Sequence, residues 1–292
     1  MRSFTALVNP VSGGGTAALK WAPLAARLQH AGAEVSVVLT LSQAHAVEAA
    51  EQAAADGHVV VAVGGDGLVR DVATGVVAAD GMMAIVPAGR GNDLAAALGL
   101  PTGHAELADL LLHSPGRAID VLEVNGTIVP GNVYAGLDAV ATKIINNNRR
   151  VPAKLLYRLA PVLALARWKP ATFTVRSDTG TMTGAGHMVV IANSGRYGHG
   201  LHIVPSAVLD DGMLHTMLIG AVPKYKVAAF MSETKHGTHA GRPEVQVSTA
   251  TQVTLSADRP VPVCADGDEL GMLPVTVTLR AASLRILAPP PA

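Results

Sequence analysis

Apolar residues in the first 115 positions come in short runs, that at Val59–Val63 mostly β-branched, separated by stretches of helical period. Phe4–Val8, Glu34–Thr40, Val59–Val63 and Met82–Val86 read as strands, and the third is apolar throughout, as suits a strand buried on both faces of a parallel sheet. Residues 16–31, 44–55, 68–77 and those from about Leu94 onward carry helical periodicity, with Gly32 closing the first helix. This alternation with short loops predicts an open parallel α/β sheet with right-handed crossovers. Beyond Gly116 the period changes. Runs at Ala118–Val124, Thr127–Tyr134, Ala171–Val175, His187–Asn193, Met213–Ile219, Val245–Val247, Gln252–Leu255, Val261–Cys264, Val275–Leu279 and Leu284–Leu287 predict a mainly antiparallel β-sandwich or barrel-like domain. Helices over about 140–168, broken near Pro152, and over about 224–235 interrupt it. The chain therefore divides into an α/β domain over 1–118, to which the extreme C-terminus is free to return, a β-rich domain over 119–288, and a proline-rich tail at 289–292.

Ligands of open α/β sheets bind at the carboxyl ends of the strands. Three loops at that edge are glycine-rich: Asn9-Pro10-Val11-Ser12-Gly13-Gly14-Gly15, Gly64-Gly65-Asp66-Gly67, and Pro87-Ala88-Gly89-Arg90-Gly91-Asn92-Asp93. A strand, a glycine turn and a helix start together present backbone N–H groups to an anion. A carboxylate at that point repels a phosphate unless a divalent cation lies between them, so Asp66 points to Mg²⁺ and a nucleotide triphosphate. The plain alternative is a tight turn with Asp66 as a helix N-cap. Residues 13–18 fit G-x-G-x-x-A, but no acidic residue closes the second strand, and no G-x-x-x-x-G-K-[ST] occurs.

Composition narrows the class. The 292 residues contain 22 Lys and Arg against 22 Asp and Glu, so no global field attracts nucleic acid. Cys264 alone excludes an internal disulfide framework and fits a reducing cytosol. The apolar stretch before Asn9-Pro10 is too short for a signal peptide, and Lys154, Arg158 and Arg167 interrupt the most apolar long segment, so no spanning helix is expected. In that segment Leu155, Leu156, Leu159, Val162, Leu163 and Ala166 recur at helical spacing among Arg149, Arg150, Lys154, Arg158, Arg167 and Lys169. It reads either as a basic amphipathic face for an anionic membrane or as a helix packed on the sandwich with solvated charges. His236-x-x-His239 lacks a third ligand and reads as a solvated pair, while His199, His202 and His215 read as structural, the first two in a glycine-rich loop.

Five motifs in order make the pattern specific: Asn9-Pro10-x-Ser12-Gly13, Gly64-Gly65-Asp66-Gly67, Pro87-x-Gly89-x-Gly91-Asn92-Asp93, Pro205-x-Ala207-x-x-x-Asp211-Gly212-x-Leu214 and Asp266-Gly267-Asp268. Together they resemble the bacterial diacylglycerol kinase and lipid kinase family related to sphingosine kinases, over nearly the whole chain. The resemblance implies a two-domain kinase with ATP in the cleft. Matched by position, Asn9, Thr40 and the loops Gly64, Gly65, Asp66, Gly67, Leu68, Val69, Arg70 and Gly89, Arg90, Gly91, Asn92, Asp93 would bind the nucleotide. Asp66 would organise the catalytic Mg²⁺, Asp211 with the carbonyls of Val208 and Met213 a structural Mg²⁺, and Asp268 would be the general base. This chain has Leu68 and Arg90 where the family usually has Thr, and Asp268 where it usually has Glu, with Glu269 adjacent. If Val261–Cys264 pairs with Val275–Leu279, register favours Asp268 over Glu269.

The reading is an ATP- and Mg²⁺-dependent lipid kinase acting on diacylglycerol or a related long-chain alcohol. It is cytoplasmic with peripheral contact at the inner membrane face, does not bind nucleic acid, and admits a homodimer. A NAD kinase is the rival enzyme, although the usual Asn-Glu dipeptide is absent. A catalytically weak nucleotide- or lipid-binding regulator is the rival from another class.

Overall fold

The computed structural model describes residues 2–148, 153–198 and 200–291; Arg149, Arg150 and His199 lie outside these, as do the side chains of Lys154 and Arg158. The first half alternates as the periodicity predicts: β1 Ser3–Val8, α1 Ala17–His30, β2 Glu34–Leu39, α2 Gln43–Ala55, β3 Val59–Gly64, α3 Asp66–Ala78, β4 Met82–Pro87, then α4 Asp93–Ala97 and α5 His104–His113. Its strands pair in parallel in the order β4-β3-β1-β2. One face packs on α2 and α3 through Leu7, Val60, Val72 and Ile85, the other on α1 and α5 through Phe4, Trp21, Leu28 and Leu111. Every residue of β3 is buried, as its unbroken apolar run requires.

The second half contains β5 Arg117–Val124, β6 Thr127–Val129, β7 Asn132–Gly136, α6 Leu137–Asn147, α7 Ala153–Arg167, β8 Ala171–Ser177, β9 Gly180–Ala192, β10 Leu214–Gly220, α8 Val227–Glu233, β11 Val245–Ala250, β12 Gln252–Ala257, β13 Pro262–Ala265, β14 Asp268–Met272 and β15 Val275–Ile286. These strands form an antiparallel sandwich around Leu122, Val133, Phe173, Val189, Ile191, Leu255 and Val277. Three expectations change. Residues 127–134 are two strands split at Pro130-Gly131, because Pro130 has no N–H to continue a ladder, and the halves pair with different partners. Residues 275–279 and 284–287 belong to a single strand, β15, which the alternation missed because a bulge around Ala282 breaks its period. Finally, β13 pairs with β14 and β7, while β15 pairs with β12, β5 and β4, so the expected pairing of 261–264 with 275–279 does not form.

The last strand therefore joins both halves. β15 runs antiparallel to β12 at its start and ends in parallel with β4, Arg285 and Ile286 facing Met82 and Met83. Asp120 holds the junction. Its carboxylate is 2 % exposed and accepts the Ala282 N–H freed by the bulge and the Gly212 N–H, both at 2.7 Å. Asp120→Ala removes the partner of both N–H groups, at the half-buried Gly212 and the exposed Ala282, and is expected to lower stability by about 2 kcal/mol, read as a fall in the urea midpoint.

Candidate active site

At the carboxyl edge of the parallel sheet the three glycine loops touch one another. A Cβ on Gly13 would sit 2.6 Å from the Ala88 carbonyl, one on Gly64 3.3 Å from Ser12 Oγ, and one on Gly65 3.0 Å from Gly89 Cα. Such approaches need residues without side chains. Helix α3 starts at Asp66 with Gly65 as its N-cap, so Asp66 is not the N-cap residue of the turn-and-cap alternative. Its carboxylate instead crosses to the third loop, accepting the N–H groups of Asn92 and Asp93 at 2.8 Å each. Asn92, in the left-handed region at φ 56°, accepts the Gly89 N–H at 2.8 Å and fixes that loop. Burial, then the nearby Asp93, pushes the Asp66 carboxyl above its usual range, against the pull of the backbone donors.

The other expected nucleotide residues separate into two groups. Gly65, Gly67, Gly89, Gly91 and the exposed Arg90 lie at the rim, with the buried Gly64 just beneath at the end of β3, beside Asn9, whose side chain accepts the Val11 N–H at 3.1 Å. The first-turn N–H groups of α3, which no helix partner can satisfy, lie there too. Thr40 closes β2, with its hydroxyl donating to the Val8 carbonyl at 3.4 Å. Leu68, Val69 and Arg70 are instead 4–5 % exposed. Leu68 packs against Gly64 in the core, so position 68 contributes packing where a hydroxyl was the family expectation. Arg70 turns inward, its guanidinium 2.9 Å from Asp71 and 3.1 Å from Asp268, instead of toward a phosphate.

The hairpin β13–β14 brings the other half of the site. Asp266 and Gly267 form its two-residue turn at φ 44° and 91°, with Ala265 opposite Asp268. Asp268 Oδ2 lies 2.9 Å from where a Cβ on Gly67 would stand, whereas Glu269 points away to Lys143 Nζ at 2.7 Å. Asp266 accepts the N–H groups of Asn132 at 2.8 Å and Gly131 at 3.2 Å; burial pushes its carboxyl up to about 7 despite those donors.

Below these carboxylates opens a cavity of about 550 Å³, within the range of ligand sites. Its lining includes the carboxylates Asp66, Asp93, Asp138 and Asp266, the polar Thr142, Asn146, Arg196 and Tyr197, and the apolar Leu137, Ala141, Ile145, Val162, Leu165 and Met231 of α6, α7 and α8. Asp138 is pushed up to about 6 by burial, with a Tyr197 hydrogen bond opposing. Sequence reasoning missed Asp138, Tyr197 and the whole cavity, because its walls come from helices whose apolar residues read equally well as core. Asp268 is absent from the lining and stands across Gly67 from it, while its neighbours Asp266 and Gly267 line it.

The remaining candidates lie elsewhere. The Asp211 carboxylate accepts the Met213 N–H at 3.0 Å and pairs with His215 Nε2 at 2.8 Å, on an exposed turn with Val208 47 % exposed. His236 is exposed but His239 is fully buried, its Nε2 2.9 Å from the Ile203 carbonyl, so the two are no solvated pair. Among the described residues no group of three or more His, Cys, Asp or Glu side chains is placed to hold a metal, and no helix is long and apolar enough to cross a membrane.

Known proteins resemble this chain over nearly its whole length. The diacylglycerol kinase catalytic domain matches residues 3–124 and the YegS C-terminal NAD kinase beta sandwich-like domain residues 131–288. The diacylglycerol kinase of Mycobacterium tuberculosis (strain CDC 1551 / Oshkosh) is 29% identical over 297 residues, covering 98% of this chain and 94% of that protein. That of Bacillus subtilis (strain 168) is 24% identical, covering 94% and 92%. Two solved chains from Bacillus anthracis str. Sterne share the fold, with TM-scores of 0.79 and 0.72 at 21% and 19% identity, each over 99% of this chain and 97% of the other. With both of its halves matched in order, the chain belongs to the diacylglycerol kinase and YegS-like lipid kinase family and is a phosphotransferase.

Proposed function

We propose that this chain transfers the γ-phosphate of ATP, with Mg²⁺, to the hydroxyl of diacylglycerol or a related long-chain alcohol. The observation that carries this reading is the cavity walled largely by apolar residues of α6, α7 and α8 and lined also by the carboxylates Asp66, Asp93 and Asp266 beside the glycine turn. A long hydrocarbon fits such walls. The polar, largely charged NAD would leave them unmatched, which disfavours the NAD kinase reading. Outside the cavity lining, α7 exposes Leu155, Leu159 and Leu163, an apolar face suited to meeting the membrane that holds the lipid.

The donor set at the turn fits Mg²⁺. Asp66 is a hard oxygen donor crowded by Asp93, and Mg²⁺ is ordinarily held by one or two carboxylates together with substrate phosphates and water. When bound, the ion offsets charge on the phosphates and on the transferring group. The α3 N-terminus and the loop N–H groups orient the triphosphate, and Arg90 adds a positive charge at the rim. As the lipid oxygen bonds to the γ-phosphorus, the bond to the β–γ bridging oxygen breaks, ADP departs, and Asp268 accepts the hydroxyl proton. A second reading gives that proton to Asp266, favoured by its place in the cavity lining. Asp211 with the Val208 and Met213 carbonyls stays a proposed structural Mg²⁺ site.

Purified protein with labelled ATP, Mg²⁺ and, separately, diacylglycerol, sphingosine, phosphatidylglycerol and NAD tests the function. Label is expected in an uncharged or long-chain alcohol; label in NAD, or ATP binding without transfer to any acceptor, overturns the proposal. Ala141→Trp, which fills the cavity beside Ile145, is expected to raise the lipid KM at least about tenfold through lost hydrophobic contact. The ATP KM is expected to hold in the same titration.

A further inference from the structure

Arg70 is a cation in an unusual position. Its side chain is 5 % exposed, on the buried face of α3, although a guanidinium without a partner is costly to bury. Two acids share it. Nε and Nη2 donate to Asp71 Oδ1 at 3.3 and 2.9 Å; Nη1 lies 3.1 Å from Asp268 Oδ2 and donates to the Ala265 carbonyl at 3.4 Å. Asp71 is itself largely buried, at 12 %, while Asp268 is 41 % exposed. One guanidinium thus connects the helix carrying the glycine turn to the hairpin carrying Asp268, with an adjacent acid behind it.

We propose that Arg70 and Asp71 act as a positioning pair for Asp268: Arg70 clamps Oδ2 against Gly67 so that Oδ1 faces the reacting hydroxyl, and Asp71 offsets enough of the guanidinium charge for Asp268 to remain a competent proton acceptor. The inference rests on the reading of Asp268 as the base. An arginine alone beside a base would stabilise its ionised form and weaken it as a proton acceptor. The second acid moderates that effect: burial, with a smaller push from Asp268, raises the Asp71 carboxyl against the pull of Arg70. Burial opposes the charge on Arg70, but Asp71 and Asp268 together hold it above its ordinary range. The other charged or titratable groups around Asp268 are Asp266 in the same turn, Asp66 at the start of α3, Glu269 with its Lys143 partner from α6, and the buried Cys264 of β13. Among the described residues none of these forms an ion pair with Asp268, so the pair on α3 is the direct control.

The test compares Asp71→Asn, Arg70→Met and the double variant, using lipid kcat/KM as a function of pH. Asp71→Asn frees Arg70 to hold Asp268 more strongly, so the acid limb moves to lower pH and the plateau rate falls. Arg70→Met moves the acid limb to higher pH and lowers kcat about 100-fold, as for a reacting group displaced by about 1 Å. Because Arg70→Met strands a buried acid and endangers folding, Arg70→Met/Asp71→Asn, which leaves no orphaned charge, must still lose kcat while its melting temperature stays near wild type. A structural role would not move the limb in opposite directions. Unmoved limbs, or a double variant with wild-type kcat, overturn the inference. If Asp268→Asn abolishes transfer but these variants change nothing, the positioning pair alone fails; if Asp268→Asn leaves kcat intact, the base assignment fails with it.

Discussion

Asp268→Asn is expected to slow lipid phosphorylation by about 100- to 10,000-fold, the usual contribution of a positioned general base. Asparagine keeps the size of the side chain and an oxygen for Arg70, so hairpin and clamp persist while the capacity to accept a proton is lost. Single-turnover transfer from labelled ATP isolates that step, and calorimetry is expected to give an ATP affinity within about threefold of wild type. Asp266→Asn is the necessary companion. Its carboxylate accepts two backbone N–H groups, and it lines the cavity that Asp268 only borders. Should Asp268→Asn retain its rate and Asp266→Asn lose it, the proton goes to the turn residue.

Gly89→Ala is expected to lower kcat/KM about 100-fold with little change in thermal stability. The added methyl would stand 2.3 Å from Gly65 Cα, 3.1 Å from Gly65 N and 2.9 Å from Asn92 Oδ1, against a comfortable carbon–carbon separation of about 3.5–4.0 Å. The second and third loops must separate by more than about an ångström, and Asp66, held by the third loop's N–H groups, moves with them. A displacement of that size in a phosphoryl-transfer site costs about two orders of magnitude. The clash lies at a surface edge of the sheet, so the core of β3 and β4 stays packed and melting should show it. Gly241→Ala, whose methyl meets no atom within 4 Å, is the neutral control.

Where the chain advertised its structure, it did so through periodicity and punctuation. The apolar runs at 4–8, 59–63 and 82–86 and the glycine turns after them place three strands of the parallel sheet almost residue for residue, because parallel strands buried on both faces tolerate little else. The second half was legible as strands but not as partners. A period-2 pattern says which face a residue occupies, not which strand lies alongside, so 261–264 was assigned the wrong neighbour although the turn at 266–267 correctly marked a hairpin. The start of α3 was hidden for a related reason: Gly65-Asp66-Gly67 looks like loop, yet its last two residues are helical. Least visible was Arg70. A charged residue in a glycine-turn motif suggests contact with phosphate, and only the fold shows it enclosed between two acids. The cavity was hidden likewise, since an alanine or leucine that lines a void carries the same pattern as one that fills a core.

The twelve-residue final strand works as a seam. Because β15 is hydrogen-bonded into the sandwich at one end and beside β4 at the other, with Asp120 gripping its bulge, the two lobes have no free hinge there: gaping apart would tear backbone pairs out of one sheet or the other. Nucleotide and lipid would then enter a gap of nearly constant width from opposite walls, and turnover would depend on small adjustments of the loops rather than on the swing of a jaw. Proteolytic removal of the last twenty residues should dismantle both lobes together.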